Sequence, residues 1–305
     1  MNSTAKSAGL ASQIQELKRK RNAVILVHNY QRPEVQDIGD FVGDSLELSR
    51  KAAEVPAEVI VFCGVHFMAE TASILCPHKT VLLPEVSSGC PMADMLNAEE
   101  LIAMKRTAPE ARVVCYINST AEVKAESDIC CTSANAIQVV QSLGDGEIIF
   151  VPDQFLGKYV ASKLKRDMIL GPGYCPIHVR VQADDILKLK KLYTGAVSLA
   201  HPECRPEVTA VADEVLSTGG MLRFVKQSIA STFIIGTERE IIHRMGKENP
   251  GKKFIHASPQ AICPDMKKIT LEHVLSSLEN LKPEVKVPED VRLKARRTVD
   301  RMLNL

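Results

Sequence analysis

Three cysteines, each followed by a proline, recur at nearly equal intervals along the chain. Cys90 and Cys175 are 85 residues apart, and Cys175 and Cys263 are 88 residues apart. A single Cys-Pro pair is most simply the end of a strand, but three pairs in register indicate a repeated unit. Three thiolates brought to one point would bind a soft metal ion or an iron–sulfur cluster. The spacing therefore predicts a shared metal site with one ligand from each copy.

The chemistry of such a site depends on the metal. Three thiolates on a [4Fe–4S] cluster leave one iron without a protein ligand, and that iron can act as a Lewis acid on a substrate oxygen. Zinc held by three thiolates and a water is the competing interpretation. Of the other cysteines, Cys204 directly follows Glu203 and is also a candidate for lining the site. As small apolar side chains, these cysteines are predicted to fill cores: Cys63, Cys76, Cys115, Cys130, Cys131 and Cys204.

Candidate acid–base residues follow predicted strands. The apolar run 23–27 predicts a strand buried on both faces, and the runs 112–117 and 195–200 repeat it later in the chain. These runs are followed by His28, Asn118 and His201. Ligands bind beyond the carboxyl ends of parallel strands in open α/β sheets, so these polar ends are candidate site residues. The candidates for proton transfer are His28, Tyr30, Tyr116, His178, His201 and Glu203.

A hydroxyl residue recurs at three predicted helix starts. Each predicted second strand begins with an aspartate and is followed five residues later by a hydroxyl. The pairs are Asp40 with Ser45, Asp128 with Ser133, and Asp213 with Thr218. These hydroxyls are expected to cap helices, where free backbone N–H groups and the helix dipole favour an anion. Three such caps around one centre would bind a phosphate or a dicarboxylate.

The elements that must position these residues repeat three times. Strands alternate with helical patterns, which predicts right-handed βαβ connections and an α/β fold. Each repeat is expected to be a four-stranded parallel sheet with helices on both faces. The predicted repeats are residues 22–105, 106–190 and 191–268, and terminal helices in 1–21 and 269–305 are expected to pack on them.

Composition limits the classes of function. The 305 residues are 45% hydrophobic and 25% charged, and 38 basic against 37 acidic residues leave a net charge of +1. This balance gives no electrostatic reason to expect nucleic acid or an acidic membrane as partner. The amino terminus lacks the apolar core of a secretory signal, and the nine cysteines suit reduced thiols. We therefore expect a cytoplasmic protein.

The motifs around these residues resemble those of quinolinate synthase, the iron–sulfur enzyme of de novo NAD biosynthesis. The resemblance covers nearly the whole chain, and the motifs occur in order and at compatible spacing. Besides the three Cys-Pro loops, the matching segments are His28-Asn29-Tyr30-Gln31, Gly43-Asp44-Ser45, Phe67-Met68-Ala69-Glu70, Tyr116-Ile117-Asn118-Ser119-Thr120, Thr132-Ser133-Ala134-Asn135, His201-Pro202-Glu203-Cys204 and Ser217-Thr218-Gly219.

The resemblance implies a fold, a reaction and a cofactor. The fold would be a three-layer αβα domain repeated three times about a pseudo-threefold axis. The enzyme, a transferase, would condense iminoaspartate with dihydroxyacetone phosphate to quinolinate, releasing phosphate and two waters. Cys90, Cys175 and Cys263 would hold a [4Fe–4S] cluster whose open iron assists dehydration. L-aspartate oxidase or aspartate dehydrogenase would be the functional partner that supplies iminoaspartate.

The resemblance also implies individual roles. Tyr30 and Glu203 would transfer protons. Intermediates would be oriented by Tyr116, Asn118, His178 and His201. Substrate carboxylate or phosphate would be held by His28, Ser45, Ser133, Ser217 and Thr218. Some relatives carry a second cysteine three residues after the last ligand, forming a redox pair, but that position here is Met266, so no such disulfide is expected.

Two other classes of function use the same residues. A redox sensor or electron carrier would use the cysteines for a cluster without catalysis, and it would show four protein ligands or a shielded cluster. A third interpretation, a metal-free protein that binds a phosphosugar, rests on the helix-start hydroxyls alone. The polar residues beyond the strand ends favour catalysis over both.

Overall fold

The computed structural model of the chain describes residues 3–305, with side chains from residue 7 onward. The fold is α/β and contains three four-stranded sheets in which every strand pair is parallel. Each sheet lies inside one of the three predicted repeats. Among residues 3–305, no helix combines the length and apolar character that crossing a bilayer requires.

The first sheet is built from apolar, largely β-branched runs whose central strands are buried. Its strands are β1 (Ala23–His28), β2 (Phe41–Gly43), β3 (Val59–Cys63) and β4 (Thr80–Leu82). The helices of this part are α1 (Ser3–Lys20), α2 (Pro33–Asp37), α3 (Ser45–Glu54) and α4 (His66–Leu75). Helix α4 is buried along its whole length, since its residues are apolar or small except for Glu70 and the first residue.

The second sheet follows the same plan. Its strands are β5 (Arg112–Tyr116), β6 (Ile129–Cys131), β7 (Ile148–Val151) and β8 (Ile169–Leu170). The helices between and before them are α5 (Ala98–Thr107), α6 (Ala121–Ala125), α7 (Ala136–Ser142) and α8 (Gln154–Leu164). A short 3₁₀ helix, Ala93–Met95, precedes α5.

The third sheet and the tail complete the chain. The strands are β9 (Val197–Ala200), β10 (Glu214–Val215), β11 (Thr232–Gly236) and β12 (Lys253–His256). The helices are α9 (Ala183–Leu192), α10 (Pro206–Val211), α11 (Thr218–Gln227), α12 (Ile241–Glu248), α13 (Leu271–Asn280) and α14 (Glu289–Leu303). A second 3₁₀ helix, His178–Arg180, precedes α9.

All three sheets share one strand order. Numbered within each repeat, the order across the sheet is second, first, third, fourth. The second strands begin one residue later than predicted, and the aspartate directly before each of them has the same role in all three sheets. Its carboxylate accepts a hydrogen bond from a backbone N–H of the first strand, 15 residues earlier. Asp40 accepts from Ile25 at 2.8 Å, Asp128 from Val113 at 2.7 Å and Asp213 from Ser198 at 2.8 Å. In return, each aspartate N–H donates to the carbonyl of that same residue.

The chain divides into two compact units. The first unit comprises Met1–Cys90 and Cys263–Leu293, and the second comprises Pro91–Ile262 and Lys294–Leu305. The first unit contains the first sheet and α13, and the second contains the other two sheets. Cys90 and Cys263 therefore belong to the first unit, and Cys175 belongs to the second.

The first unit is closed by residues from both ends of the chain. Helix α1 packs against α13 and β1, and Arg21 donates hydrogen bonds to the carbonyls of Leu278 and Glu279. The segment after α13 runs antiparallel beside β4, where Val285 N–H donates to Val81 O at 2.8 Å. The late segment thereby covers the edge of the first sheet.

Candidate functional site

In the second unit, polar residues collect at the carboxyl ends of parallel strands. Tyr116 is the last residue of β5, and His201 directly follows β9. Asp153 comes two residues after β7, and Thr237 comes directly after β11. All four are buried. The apolar strands fix where their polar ends lie, so the site is a consequence of strand length and register.

Glu203 lies at the centre of these residues. Its carboxylate accepts a hydrogen bond from the Tyr116 hydroxyl at Oε1. The other oxygen, Oε2, is 2.5 Å from Nδ1 of His178 and 3.5 Å from Nδ1 of His201. Glu203 is only 3% exposed. Burial by itself would raise the pKa of Glu203, but the two histidines and the hydrogen bonds lower that pKa to about 2, so the carboxylate is ionised near neutral pH.

The two histidines form an oriented pair. The rings of His178 and His201 are stacked, with centroids 4.5 Å apart and planes 19° apart. Nε2 of His178 is 2.8 Å from Oγ1 of Thr237, and Nε2 of His201 is 3.2 Å from Oγ of Ser133. Each ring thus directs one nitrogen at Glu203 and the other at a hydroxyl. This arrangement fixes the rings and lets protons move to or from the carboxylate.

Asp153 is a second carboxyl group in this environment, and the sequence analysis missed it. The side chain is fully buried, and Oδ1 caps α8 by accepting from the N–H groups of Phe155 and Leu156 at 2.8 Å each. Burial, and then the charge of Glu203, raise the pKa of Asp153 well above its ordinary value. Its position beyond the third strand of a repeat, like that of Thr237, is the signal that could have found it.

The Cys175 loop is held against the end of β7. Gln154 N–H donates to Gly173 O at 2.8 Å, and the Gln154 side chain donates to Pro172 O at 3.0 Å. A side chain at Gly173 would place its Cβ 2.9 Å from the Pro152 carbonyl, so only glycine allows this approach. The sulfur of Cys175, a ring nitrogen of His178 and a carboxylate oxygen of Glu203 lie within 4.8 Å of one another.

The remaining predicted residues of the second unit are Asn118, Ser217 and Thr218. Asn118 follows β5, and its buried side-chain oxygen has no hydrogen-bond partner among residues 3–305. A buried acceptor of this kind is suited to a ligand. Ser217 and Thr218 lie at the beginning of α11, where both are buried.

In the first unit, His28 and Tyr30 lie together beyond β1. Their rings are 4.7 Å apart in an edge-to-face arrangement, and Tyr30 N–H donates to Nδ1 of His28 at 3.2 Å. Lys267, four residues after Cys263, donates to the Tyr30 carbonyl. Arg32 donates to the Lys267 carbonyl at 2.6 Å. The predicted proton-transfer tyrosine is therefore fixed to the segment that follows a predicted cluster ligand.

The Cys90 and Cys263 loops lie side by side in the first unit. Oγ of Ser88, two residues before Cys90, is 2.9 Å from the carbonyl of Asp265, two residues after Cys263. Lys268 donates to Ser87 O at 2.5 Å. Cys90 and Cys263, like Cys175, are partly exposed, whereas the other six cysteines are buried. Partial exposure is what a thiol needs to reach a cofactor.

The predicted helix caps are wrong in detail. Asp44, not Ser45, caps α3 through a capping box with Glu47, and Ser217, not Thr218, caps α11. Ser45 and Thr218 are instead the first residues of their helices. Ser133 lies in the turn before α7, three residues ahead of its first residue, and contacts His201. The reason is local. In each case two adjacent residues are good helix caps, and the one with extended backbone, Asp44 or Ser217, is the N-cap.

Comparison with known proteins decides the family. A model of the family described as quinolinate synthetase A protein matches residues 12–304. The chain belongs to the quinolinate synthetase A family. The resemblance that the sequence motifs indicated is thereby confirmed.

Relatives in the quinolinate synthetase A family align along nearly their full length. Quinolinate synthase from Dehalococcoides mccartyi (strain CBDB1) is 57% identical over 296 residues, which are 97% of this chain and 98% of that protein. Quinolinate synthase 1 from Methanosarcina acetivorans is 55% identical over 296 residues, 97% of both chains. Quinolinate synthase from Desulforudis audaxviator is 54% identical over 297 residues, 97% of this chain and 98% of that protein.

Proposed function

We propose that this chain is a quinolinate synthase that condenses iminoaspartate with dihydroxyacetone phosphate. The products would be quinolinate, one phosphate and two waters, as a step of NAD biosynthesis. Family membership over residues 12–304 supports the proposal. The observation that carries it is the buried, ionised carboxylate of Glu203 in contact with Tyr116 and two histidines. An electron carrier has no use for this acid–base group.

The donor set of the three Cys-Pro loops fits an iron–sulfur cluster. Cys90, Cys175 and Cys263 are the three cysteines whose thiols are partly exposed, and two of their loops contact each other in the first unit. These three residues would hold a [4Fe–4S] cluster, which supplies a Lewis acid for substrate oxygens through its open iron. Zinc, the competing metal, is an outcome of the test below.

The acid–base residues would move the protons that the condensation requires. Closing the pyridine ring and losing two waters requires protons to leave carbon and nitrogen and to reach the departing oxygens. The ionised Glu203 would accept a proton, and His178 and His201 would return it to a leaving hydroxyl. Tyr116 would orient the Glu203 carboxylate, and Tyr30 of the first unit would be the second proton-transfer group.

Residues at the ends of strands and at the beginnings of helices would bind the anionic groups of the substrates. His28, Ser45, Ser133, Ser217 and Thr218 would bind the substrate carboxylates and phosphate, and the buried oxygen of Asn118 would accept from an intermediate. Iminoaspartate would be made by an enzyme that oxidises L-aspartate, either aspartate oxidase or aspartate dehydrogenase. That enzyme would be the functional partner.

Reconstitution tests this function. After anaerobic treatment with iron and sulfide, the protein should turn brown and convert iminoaspartate and dihydroxyacetone phosphate to quinolinate, measured by chromatography. The Cys175→Ala variant should fold but lose the cluster spectrum and the activity, with Cys76→Ala as control because Cys76 is buried and is not a predicted site residue. A brown, folded protein that makes no quinolinate would favour an electron carrier. A colourless, active zinc protein would overturn the cluster assignment.

A further inference from the structure

We propose that, when no cluster is bound, Cys175, His178 and Glu203 bind a single divalent transition-metal ion of the zinc class. All three residues belong to the second unit. One ligand atom from each, a sulfur, a ring nitrogen and a carboxylate oxygen, lies within 4.8 Å of the other two. This inference concerns the cluster-free protein and does not depend on the reaction proposed above.

The donor types match zinc. Thiolate, imidazole and carboxylate are the three side-chain ligands of protein zinc sites, and three of them leave a fourth tetrahedral position for water. Cys175 and His178 are three residues apart, at the turn that enters the 3₁₀ helix His178–Arg180, where Val179 N–H donates to Cys175 O at 3.3 Å. One turn of the backbone therefore supplies two ligands, and Glu203 supplies the third.

The geometry shows where the ion would lie. Oε2 of Glu203 is 2.5 Å from Nδ1 of His178, which is a hydrogen-bond distance. Two ligands bound tetrahedrally to zinc at their usual bond lengths are about 3.3 Å apart. An ion bound between these two atoms would move them apart by about 0.8 Å. The sulfur of Cys175 lies within 4.8 Å of both atoms, and the loop that carries Cys175 and His178 would have to bring it to bonding distance of the same ion.

Hydrogen bonds to the side-chain atoms that would not bind the metal already orient two of the ligands. Thr237 Oγ1 is 2.8 Å from Nε2 of His178, so the hydroxyl can accept from that nitrogen and leave Nδ1 for the metal. Tyr116 donates to Oε1 of Glu203, which leaves Oε2 facing the histidine. A hydrogen bond to the non-ligating atom is the usual way in which a protein fixes a metal ligand.

Charge balance also favours a divalent ion. Glu203 is 3% exposed, and His178 is 2% exposed. A divalent cation held by one carboxylate, one thiolate and a neutral imidazole gives a site with no net charge, which suits burial. Cys175 is the partly exposed member of the three, so the ion would enter from its side.

Cobalt provides the test. Cluster-free protein is prepared anaerobically with a chelator, the chelator is removed, and Co²⁺ is added. We expect one equivalent to produce the visible bands of tetrahedral cobalt and a thiolate-to-cobalt charge-transfer band, both removed by one equivalent of Zn²⁺. The Cys175→Ser variant should lose the charge-transfer band. Glu203→Gln should weaken cobalt binding at least tenfold. Thr237→Val should weaken cobalt binding by about 10–100-fold, because the Thr237 hydroxyl orients the ligand His178.

Two cysteines are matched controls. Cys90→Ser and Cys263→Ser should bind cobalt like the unchanged protein, because neither residue belongs to the Cys175, His178, Glu203 group. If either loses the charge-transfer band, the ion is bound by the cluster cysteines and the proposal is wrong. It is also wrong if Cys175→Ser keeps that band, or if folded protein, checked by circular dichroism, shows no band. A failure here leaves quinolinate formation by the reconstituted protein unaffected, so the two proposals are tested separately.

Discussion

The carboxylate of Glu203 is buried yet ionised, and its neighbours explain how. A carboxylate removed from water is unfavourable unless charges or hydrogen bonds replace the solvent. Contacts with His178 and His201, together with a hydrogen bond from Tyr116, offset this cost and lower the pKa of Glu203. Asp153 experiences the opposite effect, because burial and then the charge of Glu203 raise the pKa of Asp153. The two carboxyl groups thus differ in how readily they ionise, because the pKa of Glu203 is lowered and the pKa of Asp153 is raised.

Glu203→Gln tests this residue directly. The amide has nearly the same shape and still accepts from Tyr116, but it cannot ionise. We expect kcat for quinolinate formation to fall by about 10²–10⁴, the range for loss of a general acid or base. Glu207→Gln, at an exposed position of α10, is the matched control and should keep full activity. A Glu203→Gln enzyme with unchanged kcat would remove Glu203 from proton transfer.

At the scale of elements, the same aspartate clamp joins the first and second strands in all three sheets. The carboxylate of Asp128 accepts from Val113 N–H at 2.7 Å, and Val113 is fully buried. If the aspartate carboxylate is removed, no water can reach this buried backbone N–H to accept its hydrogen bond. The clamp thus holds the second strand beside the first in every repeat.

Asp128→Ala should therefore destabilise the second unit. Leaving the buried Val113 N–H without an acceptor costs about 1–3 kcal/mol in free energy of unfolding. The measurement is the urea midpoint by circular dichroism. Asp145→Ala, which changes an exposed aspartate of the same unit, is the control and should shift the midpoint little. Equal midpoints for the two variants would show that the clamp contributes nothing.

The clamp of the third sheet should depend on pH. Burial would raise the pKa of Asp213, but hydrogen bonds from Lys190 and Ser198 lower it below its ordinary value. The folded pKa is thus below the unfolded one, so the ionised carboxylate stabilises the fold above about pH 4 and loses this effect as pH falls further. Asp213→Asn should be less stable than the unchanged protein at pH 7, and the difference in urea midpoint should shrink at pH 3. Asp145→Asn should show no such trend.

The elements were largely predictable from the sequence, and the details of the site were not. Apolar β-branched runs located the sheets because a parallel strand must be buried on both faces. The Asp–hydroxyl spacing indicated the repeat, but it did not show that the aspartate is the clamp. The neighbours Asp44 and Ser45 are both good caps, so sequence alone did not resolve them. The contact of His178 with Thr237 joins residues 59 positions apart, which no local pattern reports.

At the scale of the whole molecule, the predicted cluster ligands are divided between the units. Cys90 and Cys263 belong to the first unit and Cys175 to the second. A cofactor that binds all three in the native protein, and fewer in the unfolded chain, stabilises the native state by linkage. With these ligands, cluster binding would therefore affect stability as well as catalysis.

Cluster loading should accordingly raise the melting temperature. We expect anaerobic calorimetry to show a higher Tm for the reconstituted protein than for the cluster-free protein. Cys175→Ser should have the same Tm before and after reconstitution, because its ligand set is incomplete. The control is Cys76→Ser or another variant of a buried cysteine, which should keep the increase even if its Tm is lower overall. The same Tm with and without a full cluster would contradict the assigned ligands.

The division of the chain also has a consequence for synthesis on the ribosome. The first unit needs residues 263–293, which supply α13 and the segment that pairs beside β4. The 172 residues Pro91–Ile262, on the order of a whole domain, must emerge between its two parts. Most of the second unit is continuous and can fold while translation proceeds. The amino-terminal sheet is therefore made first but stays incomplete until residues 263–293 have been synthesised, so its β4 edge has no neighbouring segment while most of the second unit is made.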